Sequence, residues 1–335
     1  MSAHFFKEPA DPNSLANSSE FVARPAFLCT QEEVPMKTAL DDKFASKLKT
    51  PDDAPEPLRS KLATVLHPDD VIQLLVFAPA ERIVGEYSSA TLLAVLDHDW
   101  IFATTSEDES ETSAVRCRFG DTLLLEITEI LLYGKLRFDF VCDGRVRSVA
   151  ARYNTVMEGL FETALQLILN GMDGILNIEP VNPQEIEPGL EMLPLKFANA
   201  VIRFLPMGQA PRSIVYWPSV CDSKMRILHR ELTPETVLLL TDRELLCISE
   251  EKYGEGFRMG PTAKYGAIAT HCLLSRIREI SLSRREPLDM LDVSLGAGEG
   301  REKLKFGFPP AVEIEVSNLI AEANRTIRAN QHQVA

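Results

Sequence analysis

Asp97, His98 and Asp99 form a short run whose residue types could do chemistry. An imidazole between two carboxylates can be a metal site, a general base with its orienting acid, or a polar turn between two strands. The run lies between two apolar segments, residues 91–96 and 100–105, and this arrangement is typical of a β-hairpin.

A second segment of the chain resembles this hairpin but lacks the histidine. Residues 91–104 align without gaps with residues 236–249, which lie 145 positions later, and almost every apolar position is kept. Asp97-His98-Asp99 then corresponds to Asp242-Arg243-Glu244. A metal or acid–base role needs the imidazole itself, so the comparison favours a polar hairpin turn.

Two further matches follow in the same order along the chain. Residues 123–132 match residues 273–282, which lie 150 positions later, and residues 136–156 match residues 291–311, which lie 155 positions later. A predicted amphipathic helix follows in both halves. Colinear matches of this kind predict a tandem duplication.

Hydrophobic patterning in the first half predicts about seven strands and one C-terminal helix. The predicted strands are residues 71–77, 91–96, 100–105, 115–119, 123–132, 136–142 and 146–153. Thr155 and Glu158 have the spacing of a capping box, which predicts the start of the helix, and Gly171 is placed to end it.

Composition indicates an ordinary globular protein, with 335 residues, 45% hydrophobic and 25% charged, which is enough for about two domains. The formal net charge of −14 argues against nucleic-acid binding, which is driven by neutralising phosphates. The six cysteines are scattered without a C-x-x-C pair, which favours free thiols over disulfides or zinc. No targeting or membrane-spanning segment is recognisable, so we expect a cytoplasmic protein.

Segments rich in proline and acidic residues predict the domain boundaries. Residues 1–55 are interpreted as a partly ordered arm, 56–176 as a first domain and 210–330 as a second. Residues 177–209 are predicted to be a linker and lead-in, because their first part carries four prolines among acidic residues.

About seven strands followed by one helix is the order of elements in the pleckstrin-homology (PH) fold. The segments LLLTDRELLCISEE (238–251) and KYGAIATHCLLSRIREISL (264–282) resemble bacterial PH-like domains. The resemblance implies a mainly β protein with α-helix. It would contain two bent, antiparallel, seven-stranded sandwiches or barrels, each capped by a C-terminal helix. The fold hosts lipid, protein and peptide binding alike.

Candidate binding residues lie in the second half. Lys224, Arg226 and Arg230 occupy the region where lipid-binding PH members carry basic residues, although the spacing differs. A long loop, residues 250–264, carries Tyr253, Phe257 and Arg258, a composition typical of recognition surfaces. The remaining basic cluster contains Arg276, Arg278, Arg284 and Arg285, of which the first two are predicted to face outward on a strand.

Catalytic motifs and cofactor-binding patterns are not recognisable in this sequence. We therefore expect no enzyme activity, no catalytic residues, no metal and no cofactor. The expected function is that of an intracellular adaptor or scaffold that recognises a protein or peptide partner, with self-association as a further possibility. The alternative is binding to a membrane surface or lipid headgroup through the second domain.

Overall fold

The computed structural model describes residues 44–83, 86–106, 110–174, 189–222, 230–251 and 266–334. Within these residues the chain forms antiparallel sheets and four α-helices. The strands of the first half are β1 (Ser46–Lys47), β2 (Ile72–Ala78), β3 (Glu81–Ile83), β4 (Glu86–Ser88), β5 (Thr91–Leu96), β6 (Asp99–Thr105), β7 (Thr112–Arg118), β8 (Thr122–Ile130), β9 (Tyr133–Cys142) and β10 (Arg145–Asn154).

The described residues of the second half form nine more strands. The strands are β11 (Ser213–Trp217), β12 (Val220–Asp222), β13 (Arg230–Thr233), β14 (Thr236–Leu240), β15 (Glu244–Glu251), β16 (Gly266–Leu273), β17 (Ile277–Arg285), β18 (Leu288–Ala297) and β19 (Gly300–Phe308). The helices are α1 (Leu58–Ala63), α2 (Glu158–Asp173), α3 (Leu195–Phe204) and α4 (Glu313–Val334).

The first large sheet has the order β1-β2-β5-β6-β7, and apolar cores cover both of its faces. On β5, Leu93 and Val95 belong to the main core, which also contains residues of α2. Leu92 and Ala94 point to the other face, where they pack in a cluster with α1. This two-sided burial explains why β5 is a continuous apolar run instead of an alternating one.

The central sheet joins the two halves of the chain. Its order is β10-β9-β8-β16-β15-β14-β11, so β8 of the first half pairs with β16 of the second. Ile127 on β8 lies opposite Ala269 on β16, and both side chains are fully buried in the main core. The last three strands form a separate sheet, β17-β18-β19. All described residues belong to one compact unit, and the domain boundaries given above stay a prediction.

The start and end of α2 differ from the sequence prediction. Thr155 does not cap the helix, because its hydroxyl donates to the Leu131 carbonyl at 2.7 Å, while the Asn154 side chain accepts from the Val156 amide. Gly171 lies inside the helix and not at its end. A Cβ atom at Gly171 would come within 2.2 Å of the Phe119 ring, so this glycine permits close packing.

The predicted linker contains a helix that the sequence analysis missed. α3 buries Phe197, Val201 and Phe204 in the main core, and these residues recur at the i, i+4, i+7 spacing of an amphipathic helix. The prolines before α3 favoured the prediction of a linker, and the helical spacing of these apolar residues was not recognised. The second half of the predicted linker is therefore a structural element of the fold.

The strand pattern predicted that Arg276 faces outward, and this prediction is wrong. This residue precedes β17, and its guanidinium donates to the backbone carbonyls of Thr122 and Phe119, both at 3.0 Å. A third, longer contact reaches the Met172 carbonyl at 3.5 Å. A residue of the second half thus satisfies backbone acceptors of the first half, and these contacts stabilise the junction.

The predicted class, mainly β with a few helices and a C-terminal helix, is confirmed. The expectation of barrels is not: within the described residues every sheet is open, with edge strands at both ends. The predicted strands agree with the observed ones to within a few residues, because apolar periodicity is a local property.

Replacing Arg276 should destabilise the whole unit. We expect Arg276→Ala to lower the free energy of unfolding by about 2 kcal/mol, since charged hydrogen bonds to buried acceptors are lost. The neighbouring Arg278 is exposed, so Arg278→Ala should change stability by less than about 0.5 kcal/mol. Chemical denaturation of the two variants and the parent measures both values, and equal effects would contradict the role assigned to Arg276.

Candidate binding groove

Asp97 and His98 form the exposed turn between β5 and β6, as the hairpin pattern predicted. Asp97 accepts a hydrogen bond from the Gln73 side chain at 2.8 Å. His98 and Asp99 line a shallow cavity of about 450 Å³ together with Arg118 and Asp121. No group of three or more metal-ligating side chains is found there or elsewhere in the described residues.

Asp99 differs from its neighbours because it is buried and paired. Arg116 contacts Asp99 at 2.5 Å and also binds Asp70 through two hydrogen bonds of 2.7 and 2.8 Å. The Arg116 hydrogen bonds hold the pKa of Asp70 below its ordinary value. Asp99 therefore joins β6 to β7 and to the segment before β2, and its carboxylate is engaged by Arg116.

His271 and Glu244 form a second acid–base pair that the sequence analysis did not identify. The His271 Nδ1 atom lies 3.1 Å from the Glu244 carboxylate, and both side chains are fully buried. Neither residue lines the cavity beside His98 or the larger cavity beside α3. The pair has the composition of a catalytic dyad, and neither side chain is exposed to solvent.

The larger cavity, which we call the groove, has a volume of about 530 Å³ and lies where both halves and α3 meet. One wall is α3, and the opposite wall is formed by the β8–β9 turn and the residues before α2. The adjoining ends of β15 and β16 complete it. The lining residues are Glu129, Leu131, Thr155, Glu158, Lys196, Phe197, Asn199, Ala200, Arg203, Phe204, Glu250, Gly266 and Ala267.

Arg203 on α3 organises one end of the groove. Its guanidinium contacts Glu129 at 2.7 Å, Glu158 at 2.6 Å and Glu162 at 2.8 Å. Glu129 lies on β8, and the other two carboxylates lie on α2, so one cation ties three elements together. Networks that share one arginine hold geometry better than isolated surface pairs do.

Lys196 organises the other end of the groove. Its ammonium contacts the carboxylates of Glu235 and Glu250, the latter at 3.1 Å. Tyr216 also donates its hydroxyl proton to Glu235, at 2.5 Å. Two cations of α3 therefore face five carboxylates in and around the groove, and the site carries net negative charge.

Three exposed apolar residues, which we call the rim, lie in the groove lining or next to it in the chain. Leu131 lines the groove, whereas Val156 and Leu195 adjoin the lining residues Thr155 and Lys196. Leu131 is 68% exposed on the β8–β9 turn, and Val156 is 65% exposed at the lead-in to α2. Leu195, at the start of α3, is 77% exposed. Large apolar side chains grouped around a concave site are typical of a recognition surface.

Glu129 is the titratable group that the groove perturbs most clearly. Burial raises its pKa from 4.5 to about 7, while Arg203 opposes the shift and the nearby Glu158 adds to it. The charge of the groove therefore changes near neutral pH. Nucleophilic chemistry is disfavoured at Cys117 and Cys247, since burial raises the pKa of each thiol to about 12.

The candidate residues from the sequence do not come together at the groove. Lys224, Arg226, Tyr253, Phe257 and Arg258 lie outside the described residues. Arg230 begins β13. Arg284 and Arg285 lie at the exposed end of β17, where Arg284 contacts Glu313 of α4 at 2.7 Å.

Sequence patterning had little chance of finding the groove. Its residues come from both halves and from a helix inside the predicted linker. The apolar spacing of α3 was the available signal. In the sequence, Glu129 is one polar residue of a predicted strand, and no local pattern indicates that it contacts Arg203.

Comparison with protein-family models gives no match to this chain, and comparison with curated proteins gives none. Among the described helices, none has the length and apolar character needed to cross a bilayer.

The raised pKa of Glu129 makes stability depend on pH. Between its ordinary pKa of 4.5 and about 7, the unfolded chain releases this proton and the folded chain keeps it, so folding loses stability as the pH rises. Glu129→Gln removes this loss. We expect the unfolding free energy of the variant, relative to the parent, to rise by about 3 kcal/mol across this range. Denaturation at several pH values measures the difference, and a constant difference would contradict it.

Proposed function

We propose that the chain is a tandem duplication of a PH-like unit. In the first half, the antiparallel strands β2, β5, β6 and β7 precede β8, β9, β10 and the helix α2. In the second half, β11, β14, β15 and β16 precede β17, β18, β19 and the helix α4. The ladder registers support the proposal. Thr91 pairs with Thr104 and Thr236 pairs with Ser249, so each partner in the second half lies 145 positions after its counterpart.

The three strands after this point agree at a different spacing. Thr122 pairs with Phe140 in the first half, and Ile277 pairs with Leu295 in the second, with both partners 155 positions later. A bulge follows Thr122 and Ile277 at the same place. The sequence match of residues 123–132 to 273–282 is therefore misaligned by five positions, because the counterpart of β8 is β17. A bulge that recurs at one position favours common ancestry over chance similarity.

We further propose that the protein is a non-catalytic adaptor that binds a protein or peptide segment in the groove. The single observation that carries this proposal is the exposed apolar rim of a concave site, in which Leu131 lines the groove and Val156 and Leu195 adjoin its lining residues in the chain. A segment lying between a helix and a sheet is a recognised mode of peptide binding. The expected occupant carries apolar side chains.

The charge of the groove indicates the polarity of this partner. Five carboxylates surround Lys196 and Arg203, and the whole chain has a formal charge of −14. A positively charged apolar segment would be attracted to this surface, and salt would weaken the attraction. Binding should also strengthen as the pH rises through about 7, where Glu129 becomes ionised.

Catalysis is not part of the proposal, and neither are metal ions and cofactors. Lys196 and Arg203 are engaged in ion pairs, and Glu244 and His271 are closed off from the cavities. The alternative of membrane-surface binding depends on Lys224 and Arg226, which lie outside the described residues.

The rim can be tested with one polar substitution. Leu131 has a φ of 51°, a left-handed conformation that Asp adopts more readily than Leu, so Leu131→Asp should fold. We expect partner capture by the full-length variant to fall about tenfold or more, as for hot-spot residues at interfaces. Quantitative affinity capture from the native lysate, compared with the parent, measures this loss.

Val71→Asp is the matched control, since Val71 is 58% exposed and does not line the groove. Proteins captured by the parent and by Val71→Asp, but not by Leu131→Asp, are groove partners. If the two variants lose the same proteins, or neither loses any, the groove is not the binding site.

A further inference from the structure

The strand pairing that joins the two halves has an unused equivalent at the edges of the molecule. Within the chain, β8 pairs with β16. The counterpart of β8 in the other half is β17, and the counterpart of β16 is β7. In the described residues, β7 and β17 are both edge strands of their sheets. In each half, the edge strand thus corresponds to the strand that the other half contributes to the β8–β16 pairing.

Burial at matched positions shows what the pairing does. Ile127 and Ala269 lie opposite each other in the β8–β16 ladder and are fully buried. Their counterparts, 155 positions away in each case, are Leu282 and Ala114. Leu282 is 38% exposed, and Ala114 is only half-buried. An apolar and a small side chain thus remain in part uncovered where the internal pair is closed.

One opposite-charge contact supports pairing of these two edges with each other, at the end of the ladder that corresponds to Gly266 and Ile130. In the register of β8 and β16, Gly266 lies opposite Ile130. The same register places Glu111, just before β7, opposite Arg285 at the end of β17. Both residues are exposed. Two residues beyond the other end of that ladder, the same register sets Arg118 opposite Arg278. Opposite charges directly across a ladder are stabilising, whereas like charges are destabilising.

We propose that a second copy of this chain pairs its β17 with β7 of the first copy, in the register that β8 and β16 use within the chain. The two surfaces differ, so the contact is head-to-tail and leaves one free edge at each end. The product is an open assembly that grows with concentration. Exposed edges that are not blocked are templates for such pairing. This contact is distinct from the groove and does not depend on the function proposed for it.

Sedimentation velocity of the full chain tests the proposal. The parent should form species larger than a dimer as its concentration rises, and these should diminish at high salt because an ion pair contributes to the contact. Arg285→Glu and Glu111→Arg should each weaken association about tenfold or more. Arg328→Glu, a substitution at an exposed site on α4, should leave it unchanged.

Mixing the two charge variants distinguishes this contact from other modes of association. Each variant alone places like charges across the ladder, but the mixture restores opposite charges, so association should return. Circular dichroism and thermal unfolding establish that each variant is folded. A parent that stays monomeric at low salt up to its solubility limit would overturn the proposal. So would association that neither charge variant weakens, or a mixture that stays dissociated.

Discussion

The pairing of β8 with β16 is the contact on which the rest of the structure depends. It converts two short sheets into one seven-stranded sheet and closes the main core around Ile127 and Ala269. The backbone groups at the edges of β8 and β16 form hydrogen bonds with each other. Arg276 donates to the carbonyls of Thr122 and Phe119 beside this pairing. The two halves therefore support each other's folding.

The pairing of β8 with β16 also explains why two side-chain pairs at matching ladder positions differ in burial. Asp99 and Arg116 occupy the positions that Glu244 and His271 occupy in the other half, at the same place in the ladders. In the first half the pair stays near the surface and recruits Asp70. In the second half the pair is fully buried. The Asp99–Arg116 ion pair is thus partly accessible to solvent, whereas the Glu244–His271 pair is fully buried because β8 pairs with β16 on that side.

The groove also depends on the pairing of β8 with β16. α3 lies across the central sheet, and its Arg203 and Lys196 reach carboxylates of the first and second half respectively. Neither half alone contains both walls. Glu129 owes its raised pKa to this arrangement, because β8 becomes an interior strand only when β16 is paired with it. The candidate site is therefore a property of the assembled molecule.

Sequence alone determined the main strands of the first half and the hairpin turn at Asp97 and His98, and it predicted a tandem duplication, which stays a proposal. These depend on local periodicity and turn chemistry, which short segments carry. Tertiary structure decided which strand edges meet, that Arg276 faces inward, and that α3 forms a wall of the groove. Strand patterns show which face is apolar but not which edge finds a partner. Edge pairing depends on residues more than a hundred positions apart, and no local pattern encodes it.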